Sequence, residues 1–119
     1  MQTRYFSRDL RSGHVERRYS MTKILIGEDF CEISGHAPDP VVCHGISAIA
    51  QMVGNYLEWD RLGTVEVRSG YMKITQNSRC KQIEGIGILL GAAYRAFMDI
   101  AEEYPGNIEI ELAGKEDWP

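Results

Sequence analysis

The chain has 119 residues, 44% of them hydrophobic and 25% charged, with a net charge of −4. That is one domain's worth of chain, able to bury a core. Its acidic balance argues against nucleic acid as the main partner, because phosphate binding needs a basic face. No apolar run approaches the ~20 residues needed to span a bilayer, and the N-terminus shows no apolar signal-peptide stretch.

Residues 1–20 differ from the rest. They carry five arginines (Arg4, Arg8, Arg11, Arg17, Arg18), two acids (Asp9, Glu16), few aliphatics and no clear period. They are either an N-terminal arm or upstream DNA read as protein. The second is the favoured hypothesis: Glu16-Arg17-Arg18 can be encoded as GAA-AGG-AGG, a strong bacterial ribosome-binding sequence, shortly before Met21. CGN codons at Arg17 and Arg18 would rule it out. His14 lies in this arm and has no role that the residues argue.

From Met21 the pattern becomes regular. Lys23–Ile26 reads as a short strand, Gly27-Glu28-Asp29 as a turn, and Phe30–Ser34 alternates like a half-buried strand. Gly35-His36-Ala37-Pro38-Asp39-Pro40 is a loop enforced by glycine and two prolines. A helix follows, with Asp39 as cap and Pro40 as its first residue. Val42, Ile46, Ile49, Val53 and Leu57 form its apolar stripe, and it ends near Trp59. Thr64–Arg68 and Tyr71–Thr75 form a second hairpin around Ser69-Gly70.

A second helix is expected over about Arg79–Glu103, capped by Ser78. Gly87 and Gly91 lie four apart on one of its faces, which suggests close packing against a neighbour, either in the core or at an interface. Tyr104-Pro105-Gly106 stops it. Ile108–Leu112 alternates as a last strand, and 113–119 is expected to fray. The expected fold is α+β (a mixed α/β sandwich), in the order β-β-α-β-β-α-β, with two helices on a mainly antiparallel sheet. Residues 21–112 would form the single domain.

The three cysteines, Cys31, Cys43 and Cys80, are odd in number and none belongs to a C-x-x-C pair. That suits free thiols in a reducing cytoplasm. Cys43 falls in the first turn of the first helix, where the macrodipole and backbone N–H groups favour thiolate over thiol. An imidazole nearby would depress the pKa further and later protonate a leaving amine, and amides of the same turn could receive an oxyanion.

His36, at the strand-to-loop junction, can be folded back over the helix start. His44 points about 100° away from Cys43 and is poorly placed. Asp39 could cap the helix or orient an imidazole. Ser47, one turn after Cys43, could hydrogen-bond the thiolate. From spacing alone, a cysteine in an apolar helix is more often a small buried hydrophobe than a nucleophile. Asp39 is then simply a cap and Ser47 a packing or surface residue. Cys31 and Cys80 read as structural. Cys31, His36, Cys43 and His44 lack any familiar zinc spacing, so neither metal nor cofactor is expected.

Ser34-Gly35-His36-Ala37, followed by Val41-Val42-Cys43-x-Gly45-Ile46-Ser47-Ala48, resembles the signature of the ribosomal-processing cysteine protease family (Prp). That signature is a G-H-A motif at a strand end, then a D-I-V-C-A-x-V-S-A motif opening a helix. Ser69-Gly70-Tyr71 and Glu102-Glu103-Tyr104-Pro105 match further family features, and the likeness covers roughly residues 21–112. It implies a cytoplasmic, homodimeric cysteine endopeptidase of bacteria or their phages. Such an enzyme removes a short hydrophobic N-terminal extension from large-subunit ribosomal protein twenty-seven, or cuts a phage capsid or scaffold protein with a similar site.

The resemblance assigns the dyad to Cys43 and His36, with Gly35, Asp39 and Ser47 in support. The chain departs from the family in its His36–Cys43 connection, where only six residues intervene, two of them prolines. The family's longer loop is assigned to substrate entry. A stiff, short version implies either an open site with relaxed specificity or a changed substrate. Asp39 also sits four residues before the cysteine, where the family has its acid three before, and His44 replaces a small residue. Two other classes of function use the same residues: a non-catalytic protein-interaction module on this scaffold, or a redox-sensing thiol protein.

Overall fold

A computed structural model describes residues 21–113, so both the 1–20 arm and the end of the chain lie outside the described residues. Five strands and two long helices follow in the expected order: β1 (Thr22–Ile26), β2 (Phe30–Ser34), α1 (Pro40–Trp59), β3 (Gly63–Arg68), β4 (Tyr71–Gln76), α2 (Glu84–Glu103) and β5 (Ile108–Leu112). The sheet order is β3-β4-β2-β1-β5. Neighbours pair antiparallel except β1 and β5, which run parallel. The fold is α+β, as the hydrophobic patterning predicts.

The period-2 alternation decides which face is covered. Ile24, Ile33 and Ile74 turn inward beneath the helices, while Lys23, Glu32, Lys73, Glu109 and Glu111 occupy alternate positions that face away. The α1 stripe of Val42, Ile46, Ala50, Val53 and Leu57 meets this inner face, and Phe97 and Ala93 bring α2 onto it. Among the described residues, no helix is long and apolar enough to cross a membrane.

Two expectations about the second helix need correction. Ser78–Gln82 is a 3₁₀ turn capped by Asn77, and the α-helix begins only at Glu84. Tertiary bonds override the helical pattern here: the Asn77 N–H and the Cys80 thiol both donate to the Leu62 carbonyl, fixing the segment before it can continue as α-helix. Gly87 and Gly91 are exposed, and a Cβ at either would meet nothing within 4 Å, so they do not serve close packing within this chain. They border an apolar groove of about 430 Å³ with Phe30, Leu90, Tyr94 and Leu112, where α2 stands off the sheet. At the other end of β5, Ala113 donates to the Ile26 carbonyl at 2.9 Å, so the ladder runs one residue into the expected tail.

Candidate active site

The residues singled out from the sequence gather at one corner of the sheet, where β2 ends, β1 and β5 begin and the β3–β4 turn comes over. Gly35 makes the exit from β2. Its φ is +84°, in the region that favours glycine, and a Cβ there would overlap the Met21 carbonyl oxygen. Its N–H donates to the Gly70 carbonyl at 3.0 Å, tying the exit to the β3–β4 turn. His36 follows, half-buried, with its ring against that same turn: a Cβ on Gly70 would stand 3.0 Å from Nε2. With φ at +67° as well, position 70 favours glycine, which leaves the imidazole this room.

The loop then folds back over the start of α1. The Ala37 N–H donates to Cys43 Sγ at 3.1 Å, and the thiol is 3.5 Å from the Ala37 carbonyl, to which it can donate. The residue directly after His36 is therefore in contact with the sulfur. Asp39 is the N-cap, accepting at Oδ1 from the Val41 N–H at 3.0 Å, with Pro40 in the first turn. Caps of this kind stabilise a helix by about 1 kcal/mol. The cap residue is itself held from across the fold, because its N–H donates to Asn107 Oδ1 at 2.8 Å. The Asn107 amide nitrogen donates to the Tyr104 and Pro105 carbonyls. Nothing in the local pattern marks Asn107, which lies 68 residues from its partner; an asparagine just after the Pro-Gly helix stop is the only hint.

Three expectations about the chemistry change. Cys43 is only 8% exposed, so the short connection closes over the thiol instead of leaving it open. Burial pushes the thiol pKa above its ordinary value and the Asp39 charge adds to this; hydrogen bonds from the Ala37 backbone and the Thr22 hydroxyl pull the other way and do not prevail. The helix-terminal position alone does not yield a thiolate. The first-turn amides are also engaged: Val41 bonds Asp39 Oδ1, and Val42 and Cys43 donate to the Asp39 carbonyl at 3.0 and 3.3 Å. The donor at the sulfur is instead the Ala37 N–H, which bonds Sγ itself. Finally, Ser47 is half-buried one turn after Cys43 and is not among the groups that bond the thiol.

His44 is exposed on α1. Cys31 is in β2 against the apolar groove, its pKa pushed up to about 12 by burial and then by Glu32. Cys80 is buried and its thiol donates to the Leu62 carbonyl at 3.1 Å.

No protein-family model and no curated protein matches the chain. Solved structures share its fold. The crystal structure of SMU.848 from Streptococcus mutans matches with a TM-score of 0.62 at 24% identity, over 80% of this chain and 96% of that one. The ribosomal processing protease Prp from Staphylococcus aureus, in complex with a substrate peptide, gives a TM-score of 0.63 at 17% identity. The same protease with a covalently linked product peptide gives 0.60 at 20%. Each Prp structure covers 77% of this chain and 97% of its own. The chain has the fold of these structures, over nearly their whole length.

Proposed function

We propose that the chain is a cysteine endopeptidase of the ribosomal-processing type, with Cys43 as nucleophile and His36 as general base. The observation that carries the reading is the contact between the Cys43 sulfur and the backbone N–H of the residue after His36, on a fold shared with peptide-bound Prp. The substrate would be a protein with a short hydrophobic cleavage sequence. The family resemblance suggests the N-terminal extension of large-subunit ribosomal protein twenty-seven, or a phage capsid or scaffold protein. A homodimer working in the cytoplasm belongs to the same proposal, as does a single protease-like domain over 21–112.

In this mechanism His36 takes the thiol proton and the sulfur attacks the scissile carbonyl, forming a C–S bond. The carbonyl oxygen gathers negative charge, which the Ala37 N–H can meet as the sulfur it bonds at rest turns to the carbonyl carbon. The C–N bond then breaks as the imidazolium returns its proton to the leaving amine. Water, deprotonated by His36, hydrolyses the thioester and restores the thiol. With Cys43 buried and its pKa raised, the resting thiol is protonated. Substrate must move the 35–40 loop to reach it.

That burial is also what favours a second reading, a non-catalytic interaction module. It speaks against a redox sensor, whose thiol must be accessible and readily ionised. The test is incubation of the full chain, and of its Cys43→Ala variant, with a peptide spanning the ribosomal-protein extension, followed by mass spectrometry. A single cut by the wild type alone supports the protease. Peptide binding by both proteins without a cut supports the module.

A further inference from the structure

Helix α1 is apolar on two sides. Its core stripe, Val42, Ile46, Ala50, Val53 and Leu57, is buried against the sheet. At about 100° per residue, Val41, Ala48, Met52 and Trp59 fall within about 40° of one another on the opposite side, with Tyr56 flanking them. These side chains are exposed, Met52 by 51% and Trp59 by 86%. A surface helix ordinarily carries its charges opposite the core. Here Glu58 is the only Asp, Glu, Lys or Arg in the helix, and its carboxylate accepts from the Val65 N–H on β3. Helix α2 keeps the ordinary pattern: Arg95, Asp99 and Glu102 share the outer side with its exposed Ile88 and Met98.

We propose that this outer face of α1 is the surface through which two copies of the chain associate, the helices packed antiparallel about a two-fold axis level with residue 50. The inference rests on the homodimer of the proposed function and gives it a surface. A two-fold contact requires a self-complementary patch, and the stripe is one. The axis sets Ala48 against the partner's Met52 and Val41 against the partner's Trp59, a smaller side chain opposite a larger one each time. Gly45 and Ala48 let the backbones approach closely. The ends match in charge: Asp39, the cap of α1, comes level with the partner's Arg61, an exposed residue just past the helix end. Among the described residues, neither Asp39 nor Arg61 is in a salt bridge.

The size of the patch sets the strength of the contact. A 20-residue helix is about 30 Å long and about 10–12 Å wide with its side chains. Two such faces crossing at about 20° stay together along most of that length. They remove on the order of 1,000 Å² in total, near the lower limit of a specific interface. Tryptophan, tyrosine and methionine at the centre, with charge only at the rim, is the composition interfaces favour. The expected dimer is reversible, with a dissociation constant in the micromolar range. Each copy's Trp59 then borders the first turn of the other's α1, where Cys43 lies two residues after Val41.

The test is sedimentation velocity of the full chain over a concentration series through the micromolar range, with acrylamide quenching of Trp59 followed in a Trp118→Phe background. A reversible species of twice the chain mass is expected, and Trp59 should become shielded as it forms. Met52→Glu sets an unpaired charge in the contact and should weaken association at least about hundredfold. Arg61→Glu should weaken it about three- to tenfold, and less at high salt. Met98→Glu, at the exposed methionine of α2, should leave it unchanged. Each variant is checked for folding by circular dichroism; if Met52→Glu does not fold, Ala48→Glu is read in its place. A dimer that persists in folded Met52→Glu would overturn this surface while leaving the homodimer itself. A wild type that stays monomeric through the series would remove both, whether Trp59 is open to quencher or covered by another part of its own chain.

Discussion

The entry to α1 and the 3₁₀ turn that leads into α2 are built from the same parts. At each, an Asx side chain accepts from the N–H two residues on: Asp39 from Val41, and Asn77 from Arg79. At each, a buried cysteine follows the cap, and its thiol faces a backbone carbonyl, Ala37 for Cys43 and Leu62 for Cys80. What differs is what points back. Cys43 receives the Ala37 N–H, with a histidine next to Ala37 in the chain. At Cys80 the thiol acts as a donor, and the α-helix beyond it starts afresh after Ile83. Placement at a helix start is common to both cysteines, so it cannot be what makes one reactive. What sets Cys43 apart is the Ala37 N–H aimed at its sulfur.

The largest expected effect separates the two thiols outright. Cys43→Ala should abolish peptide cleavage, a loss of at least about 10³-fold, because no other group can form the acyl intermediate. Cys80→Ala should leave kcat within about threefold and lower stability by about 1–2 kcal/mol, from a small cavity and the lost bond to the Leu62 carbonyl. Parallel cleavage kinetics and urea unfolding measure both. Equal loss of cleavage in two folded variants would erase the distinction drawn here.

The next effect tests the turn that delivers His36 to one entry and has no counterpart at the other. Gly35→Ala puts a side chain at φ +84° and against the Met21 carbonyl oxygen. A destabilisation of about 2–4 kcal/mol is expected in urea unfolding, with cleavage reduced further than stability alone explains. A cost below about 0.5 kcal/mol would show that the exit from β2 relaxes freely.

The sequence made the first helix legible to the residue, because Asp39-Pro40 and the stripe from Val42 to Leu57 are local signals. The strands were equally clear from alternation. The second helix entry was misread, since its 3₁₀ form depends on the Leu62 carbonyl, distant in sequence from Cys80. Cys43 and His36 stand out through their motif, whereas Asn107 does not: it acts through Asp39, a partner far along the chain, and does not look unusual where it stands. Burial of Cys43 agrees with the reading of a cysteine in an apolar helix as a small buried hydrophobe, but not with an open site. Spacing places Cys43 at the positive end of a helix, but how completely a six-residue connection covers it depends on where Asn107 and Gly70 pin that connection.

The smallest effect makes the two caps alike. Asp39→Asn gives α1 the residue that already caps the other turn. Asparagine accepts the Val41 N–H as well as aspartate does, so the cap survives. The carboxylate's favourable interaction with the helix N-terminus is lost, at about 0.3–1 kcal/mol of stability. The same carboxylate charge raises the Cys43 pKa, so its removal favours the thiolate. The pH midpoint of Cys43 alkylation by iodoacetamide should therefore move to lower pH, and modestly, because a charge that is still partly exposed is screened. Asp39→Ala would confound cap and charge, which is why the amide is the informative change. A midpoint that rises in Asp39→Asn would mean that the carboxylate aids ionisation, for instance by orienting the His36 imidazole. The acid would then belong with the dyad instead of with the helix cap.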